Sequence, residues 1–483
     1  MIRNWSDARF QRRDSRRASC VLALLLAGGC TVNPPSPEEI REQSLGDLNI
    51  DHPWKAVAAS TDSVQDNWLS SFQDPQLDAL VKEALARNPD LRIAAARVEQ
   101  SGQYLQVAKA ALRPWLGIAG TGGTKSSGGG DTSSALQGIG ISASWELDLW
   151  GRVRYARNAA QESYVSAQSD FEFARQSLAA ATARAWFAAT QLTQRTAIAA
   201  EMLRASQALL TVAEDRERVG VGSETESSMS RASARDIEDA LRQLELARGQ
   251  ALRALELLVG HYPAAEIATR PDVLPMPGAI PVGMPLQMLE RRPDVIAAER
   301  RVAAAFNLMG EAKAARLPKI SLNLNFGALE SDILQLKEDH ENPSGGFGAR
   351  LLAPIYQGGA LKAQVEIRTM QQKEALADYA RIALRALGEV ENSLATSASL
   401  AARVKLLTQS VDEQTRALNL VQERFNVGRV DRRTVEQQRM IVQNAQVALL
   451  NVRTDELTER INLHLSLGGS FEEPQQQQAE AQK

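Results

Sequence analysis

From Ile139 the chain alternates strictly, with Ile139, Ile141, Ala143, Trp145, Leu147 and Leu149 separated by Gly140, Ser142, Ser144, Glu146 and Asp148. Successive side chains of a strand point to opposite faces, so this period of two predicts a strand with one apolar and one polar face. The same pattern returns in Ile320, Leu322, Leu324 and Phe326, set between Ser321, Asn323 and Asn325. It returns again in Phe347, Ala349, Leu351, Ala353 and Ile355, set between Gly348, Arg350, Leu352 and Pro354. A fourth segment, Trp115 to Thr121, is less regular. The loops between members of a pair are Gly/Ser-rich at 122–134 and longer and charged at 330–346. The strands therefore group as two hairpins, 115–149 and 319–356.

Between the hairpins the pattern changes to long helices. Residues 152–219 contain neither Gly nor Pro, and 360–427 contain no Pro and a single glycine, Gly388. Each stretch is long enough for a continuous helix of about 100 Å at ~1.5 Å per residue. Each ends in a glycine-punctuated turn, VGVGS at 219–223 and VGRVD at 427–431, followed by a shorter helix at about 224–259 and 432–467. The helical hairpins thus cover 151–259 and 359–467.

These elements occur twice. Asn88-Pro89-Asp90 opens a helical run closing with AKAALRP at 108–114, and Arg292-Pro293-Asp294 opens one closing with AKAARLP at 312–318. Leu149-Trp150 pairs with Ile355-Tyr356, Val219-Gly220 with Val427-Gly428, and Gly260 with Gly468. A repeat this long is no solenoid unit, so each copy is a whole substructure and the product has pseudo-twofold symmetry. The divisions are a leader at 1–29, an N-terminal anchor and equatorial segment at 30–87, and the first repeat at 88–260. A Pro-rich crossover at 261–285, the second repeat at 286–468 and a polar tail at 469–483 complete them.

No run of 18 apolar residues exists, so a membrane-spanning helix is not expected. The strands change that picture. Their apolar faces carry Trp145, Leu147, Phe326 and Phe347, and their lengths approach the roughly 9–11 residues of a membrane strand. Trp115, Trp150 and Tyr356 fall near strand ends, where interfacial aromatics belong. Four strands cannot close a barrel, and lipid does not tolerate unpaired sheet edges. Closure then demands several copies of the chain. In such a barrel Ser144, Glu146, Asp148, Asn323, Asn325 and Arg350 hold the polar parity and line the lumen.

Residues 1–30 read as an export signal. Five arginines from Arg9 to Arg17 precede the apolar run Val21–Leu26 and the small residues Ala27-Gly28-Gly29, just before Cys30. Cys20 and Cys30 are the only cysteines, so a disulfide framework is excluded. The net charge of −3 gives no nucleic-acid surface. The segment GTGGTKS at 120–126 fails as a phosphate loop, because Lys125 follows Thr124 and no strand-to-helix context surrounds it. Gly138 to Ala143 mimics a dinucleotide fingerprint but begins a strand with no helix after it. The four histidines show no metal-ligand spacing. No catalysis and no cofactor are expected.

Trp68 is followed by Phe72-Gln73-Asp74-Pro75 and Leu77, and the first repeat carries NPDLRIAAARVEQ at 88–100 and WELDLWGRVR at 145–154. The second carries ERRPDVIAAERRVAAA at 290–305, AKAARLPKISL at 312–322 and LGG at 467–469. In these motifs the chain resembles the outer-membrane efflux proteins, the TolC-like channels, in their NodT-type lipoprotein branch. Cys30 sits where such a lipoprotein is diacylated, although Ala27 replaces the usual Leu. The resemblance implies an α+β membrane protein: a homotrimer with a 12-stranded β-barrel in the outer membrane and a long α-helical barrel in the periplasm. It implies a passive exit duct for small toxic compounds, working with a periplasmic membrane-fusion adaptor and an inner-membrane transporter of the RND type. A non-conducting structural lipoprotein and a protein-secretion duct are the alternatives. The turns Val219, Gly220, Gly222 and Val427, Gly428, Arg429 match the family's adaptor-docking tips. The gate falls near Leu420, Glu423 and Arg424, with Glu423 pairing Arg216 or Arg424 as a latch.

Overall fold

The computed structural model describes residues 33–46, 50, 52–56, 64, 66–121, 124–126, 132–134, 137–269, 277–278, 280–330 and 344–472. The leader, Cys30, residues 473–483 of the tail and parts of both hairpin loops and the crossover lie outside these residues. In chain order come α1 (Pro37–Leu45), a 3₁₀ turn (Trp68–Phe72), α2 (Pro75–Arg87) and α3 (Pro89–Ala110). Strands β1 (Trp115–Thr121), β2 (Thr124–Ser126), β3 (Thr132–Ser134) and β4 (Gln137–Leu147) follow, then α4 (Arg152–Arg218) and α5 (Glu224–Val259). The second half holds α6 (Pro285–Arg291), α7 (Pro293–Ala314), β5 (Lys319–Glu330), β6 (Ser344–Leu352), α8 (Ala360–Asn426) and α9 (Arg432–Ser466). Helices α4 and α8 each run 67 residues without a break. The loop expected at 122–134 instead contains the short antiparallel pair β2–β3. Thr124 and Thr132 open the two strands, and a β-branched side chain favours extended backbone.

The chain divides into two compact units, and neither follows the repeats. One takes residues 1–47, 97–168 and 297–381; the other takes 48–96, 169–296 and 382–483. The first unit contains the sheet, ordered β1-β4-β5-β6 and antiparallel throughout. The two hairpins are therefore joined edge to edge through β4 and β5. Ile141, Ala143, Trp145 and Leu147 stand opposite Phe326, Leu324, Leu322 and Ile320. Cross-strand pairs of this kind fix the register, since a slip of one residue would turn every apolar side chain to the polar face. The sheet is tied to the helix ends by two indoles: Trp145 Nε1 donates to Leu112 O (3.0 Å) and Trp150 Nε1 to Pro318 O (2.7 Å).

The second unit is built around a core of Phe72, Leu77, Val81, Trp186, Phe187, Leu255 and Ile461. Ala179, Ala180 and Ala183 are wholly buried beside them, small enough for the backbones to approach. Trp186 Nε1 donates to Asp74 Oδ2 at 2.9 Å, while Asp74 Oδ1 accepts from the first amides of α2. One buried carboxylate thus serves both a helix cap and the core indole.

The duplication is visible in how the helices meet. Gly260 and Gly468 end α5 and α9 with φ of +84° and +69°. A Cβ on either would lie 3.1 Å from Arg87 Cβ or Arg292 N, respectively. Both positions need glycine for its left-handed backbone and for the close approach. Beside them Asn88 Nδ2 donates to Leu258 O (2.9 Å) and Arg292 Nη1 to Ser466 O (3.1 Å), so each repeat caps a helix C-terminus with the residue before its proline. The crossover is held from both ends. The Glu256 carboxylate accepts from the amides of Ala265, Glu266 and Ile267, and Arg460 donates to the carbonyls of Pro277 and Gly278. Near the N-terminus, the amides of Lys55 and Ala56 donate to Glu391.

Candidate functional site: the polar sheet face and the helical tips

On the sheet, Ser144 stands opposite Asn323 and Asn323 opposite Gly348, with the Ser144 hydroxyl donating to Asn323 Oδ1 at 3.0 Å. Asn325 stands opposite Ser142 and Gly346, and Arg350 opposite Ser321; both are exposed. These residues share one face, together with Glu146. The Glu146 carboxylate is held by Arg152 through two bonds of 3.0 and 2.8 Å, and Arg152 also lies 3.8 Å from Glu311. Asp148 behaves differently from the lumen-lining role expected of it. It lies beyond the end of β4, and its carboxylate accepts from the amides of Val153 (3.0 Å) and Arg154 (2.9 Å) and from Arg154 Nε (3.2 Å). Asp148 therefore caps the N-terminus of α4, where a carboxylate meets unpaired amides and the positive end of the helix dipole.

Trp115 also departs from expectation. It stands opposite Ser144 and so belongs to the polar face, while Leu116 and Ile118 of β1 stand opposite Ala143 and Ile141 on the apolar face.

The two tips are built alike. The amides of Val221 and Arg429 reach back to the carbonyls of Arg216 (2.9 Å) and Arg424 (2.8 Å). Gly220 and Gly428 have φ of +79° and +74°. Ser223 caps α5 through the Glu226 amide, and Asp431 caps α9 through the Thr434 amide. The Thr434 amide first, and its hydroxyl second, hold the Asp431 carboxyl below the ordinary range. Val219, Val221 and Val427 expose roughly two thirds of their surface, and Leu420 half.

Charge differs between the tips. Residues 214–226 carry two basic and five acidic groups, and the matching residues 422–434 carry four basic and two acidic. The tips are joined by Arg433 and Glu226 (2.6 Å), and Arg231 pairs Glu214 at 2.8 Å. Arg216 donates to Val221 O (3.3 Å), and among the described residues Glu423 forms no ion pair with Arg216 or Arg424 within the protomer. The sequence signal for the observed bridge was the opposite sign of ETE at 224–226 and RR at 432–433. No cluster of metal-ligating side chains and no helix long and apolar enough to cross a membrane occurs among the described residues.

The sequence profile described as "Outer membrane efflux protein" matches residues 80–261 and 284–469. The chain is an outer membrane efflux protein. It is 29% identical over 482 residues to the pyoverdine export outer membrane protein OpmQ of Pseudomonas aeruginosa, covering 95% of this chain and 98% of OpmQ. It is 28% identical to the probable efflux pump outer membrane protein TtgC of Pseudomonas putida, covering 94% and 96%. Among solved structures it is similar to the outer membrane protein VceC of Vibrio cholerae, with a TM-score of 0.75, 25% identity, and coverage of 85% of this chain and all of that one. The fold is that of the TolC-like outer-membrane channels, and this efflux protein is the outer-membrane component of an efflux pump.

Proposed function

We propose that three copies of this efflux protein close a 12-stranded barrel and form a passive exit duct for small toxic compounds. The observation that carries the reading is the sheet itself. It has four strands, one continuous apolar face, one polar face, and two edges, β1 and β6, with no partner strand within the described chain. Lipid tolerates neither open edges nor an isolated four-stranded sheet, and three such sheets supply twelve strands. The apolar face then meets lipid, and the Ser, Asn and Gly face lines water. Such a lining is short of selective pockets, in keeping with relatives named for cargoes as different as pyoverdine and toluene.

The helices of the three chains assemble into a periplasmic tube. A periplasmic adaptor docks on the exposed valines of the tips, a transporter of the RND type supplies the energy, and Cys30 carries the lipid that anchors the N-terminus in the outer membrane. The gate is held by contacts between tips, among them the Glu226–Arg433 ion pair within a protomer.

Single-channel recording in a planar bilayer tests the duct and its gate together. The wild-type protein should give stepwise, ohmic conductance with a low open probability. An exposed ion pair is worth about 0.2–1 kcal/mol, so Glu226→Arg should raise open probability about two- to fivefold, and adding Arg433→Glu should restore it. Glu423→Arg should have little effect. Protein that inserts without conductance would rule out the duct, and an unchanged open probability in Glu226→Arg would rule out the tip bridge as gate.

A further inference from the structure

Trp115 is an aromatic side chain in an unexpected place. It opens β1 and heads the row Trp115, Ser144, Asn323, Gly348 that crosses the polar face of the sheet. The other bulky aromatics of the strands, Trp145, Phe326 and Phe347, belong to the apolar face, by parity with Ala143, Ile141 and Leu324. A tryptophan at a lipid interface has an apolar setting for its ring and a partner for its indole N–H. Trp145 and Trp150 meet the second condition through Leu112 and Pro318. Trp115 is 61% exposed, and among the described residues its indole N–H has no partner.

The ring lies down along its own strand, over Gly117. A Cβ at Gly117 would fall 2.5 Å from both Cζ2 and Cη2 of the indole, so any side chain there would push the ring away. Across from it the Ser144 hydroxyl is spent on Asn323 Oδ1, so it does not claim the indole. The result is a flat, exposed aromatic surface lying over a sheet floor of Gly117 and its cross-strand neighbour Ser142.

We propose that Trp115 is a stacking station for flat aromatic molecules on the channel face of the barrel. The proposal rests on the reading that the polar face lines the duct, which gives three such stations per trimer. Stacking on an exposed ring needs no shape-matched pocket, so it retains many planar compounds weakly and releases them readily, as a conduit requires.

Ethidium, a planar aromatic cation, is the probe, and tetrapropylammonium, a cation without an aromatic ring, is the control. Full-length protein in detergent is titrated with ethidium by fluorescence anisotropy, and the same preparations are recorded in planar bilayers to show that each variant folds and conducts. An aromatic or cation–π contact is worth about 0.5–1.5 kcal/mol, so Trp115→Ala should weaken ethidium binding about three- to tenfold. Trp115→Phe should fall between the two. Gly117→Val should weaken it similarly while keeping the tryptophan, because it lifts the ring off the strand. Trp150→Phe should match the wild type, and tetrapropylammonium should not compete. Ethidium binding that is unchanged in conducting Trp115→Ala and Gly117→Val channels would overturn the station, as would full competition by tetrapropylammonium or no binding to the wild type. Absence of conductance in the wild type would instead remove the duct on which the proposal rests.

Discussion

Arg292→Met is expected to lower the unfolding free energy by about 3–5 kcal/mol, the cost of leaving a buried charge without its partner. The Arg292 guanidinium is 2% exposed and makes four bonds. Nε and Nη2 grip Asp294 at 3.0 and 2.8 Å, and Nη1 donates to Glu389 (2.7 Å) and to the Ser466 carbonyl (3.1 Å). Methionine fills the stem's volume but supplies none of these donors. The Asp294 carboxylate, 7% exposed, would keep only the Val295 amide at 3.0 Å and the more distant Arg385 at 3.6 Å. The first repeat provides an internal control. Asn88 does the same capping with a neutral amide, so Asn88→Ala should cost about 1–2 kcal/mol. Chemical denaturation of the full chain in detergent, followed by tryptophan fluorescence, measures both. A shift under 1 kcal/mol for Arg292→Met would show that the network is already open to water.

The second large effect is a loss of stability in mild acid that depends on one imidazole. His464 is 5% exposed and stacks on Trp68, with ring centroids 5.9 Å apart and planes 18° from parallel. Neither ring nitrogen has a hydrogen-bond partner among the described residues. Burial first, and the nearby Arg460 charge second, push its pKa down to about 3. The folded state therefore takes up its proton only near pH 3, whereas the unfolded chain takes it up near pH 6.5. Between those values the unfolded state binds more protons, so stability is fully present above about pH 6.5 and is lost as the pH falls. The loss attributable to this group is about 2 kcal/mol at pH 5 and approaches about 4–5 kcal/mol near pH 3. Carboxylates add their own acid dependence, so the informative quantity is the difference between wild type and His464→Phe. That variant should lose less stability between pH 8 and pH 5 by about 2 kcal/mol. Equal losses in the two proteins would place water or a partner at the ring.

Much of this was legible because two simple periods dominate the chain. The absence of Gly and Pro from 152–218 leaves a helix no place to stop, and VGVGS and VGRVD then supply the turns. The alternation from Ile139 to Leu147 fixed the face of each residue on β4, and the register with β5 confirms the pairing apolar to apolar. Less legible was anything that depends on where a strand ends. Asp148 continues the alternation by one step, yet the strand has finished and Arg154 and the α4 amides claim the carboxylate. The spacing could have shown it, since Glu146–Arg152 and Asp148–Arg154 are both pairs of opposite charge six residues apart across Gly151. Trp115 was read by its distance from the strand centre, whereas parity with Leu116 and Ile118 puts it on the other face. His464 was weighed only as a metal ligand. Its contact with Trp68 joins opposite ends of the chain, and no local pattern announces a contact of that range.

The central claim is that the two open edges of the sheet meet on neighbouring copies and that three copies close the ring. Within one chain β1 and β6 are separated by three strand spacings, about 14 Å, so a thiol crosslinker of about 8 Å cannot join them. Full-length protein carrying Ile118→Cys and Phe347→Cys should therefore crosslink only between chains, with single-edge variants as controls for Cys30. Denaturing gels are predicted to show covalent dimers and trimers and nothing larger, because a closed ring of three leaves no edge to extend. Monomer alone, or a ladder continuing past three, would contradict the account.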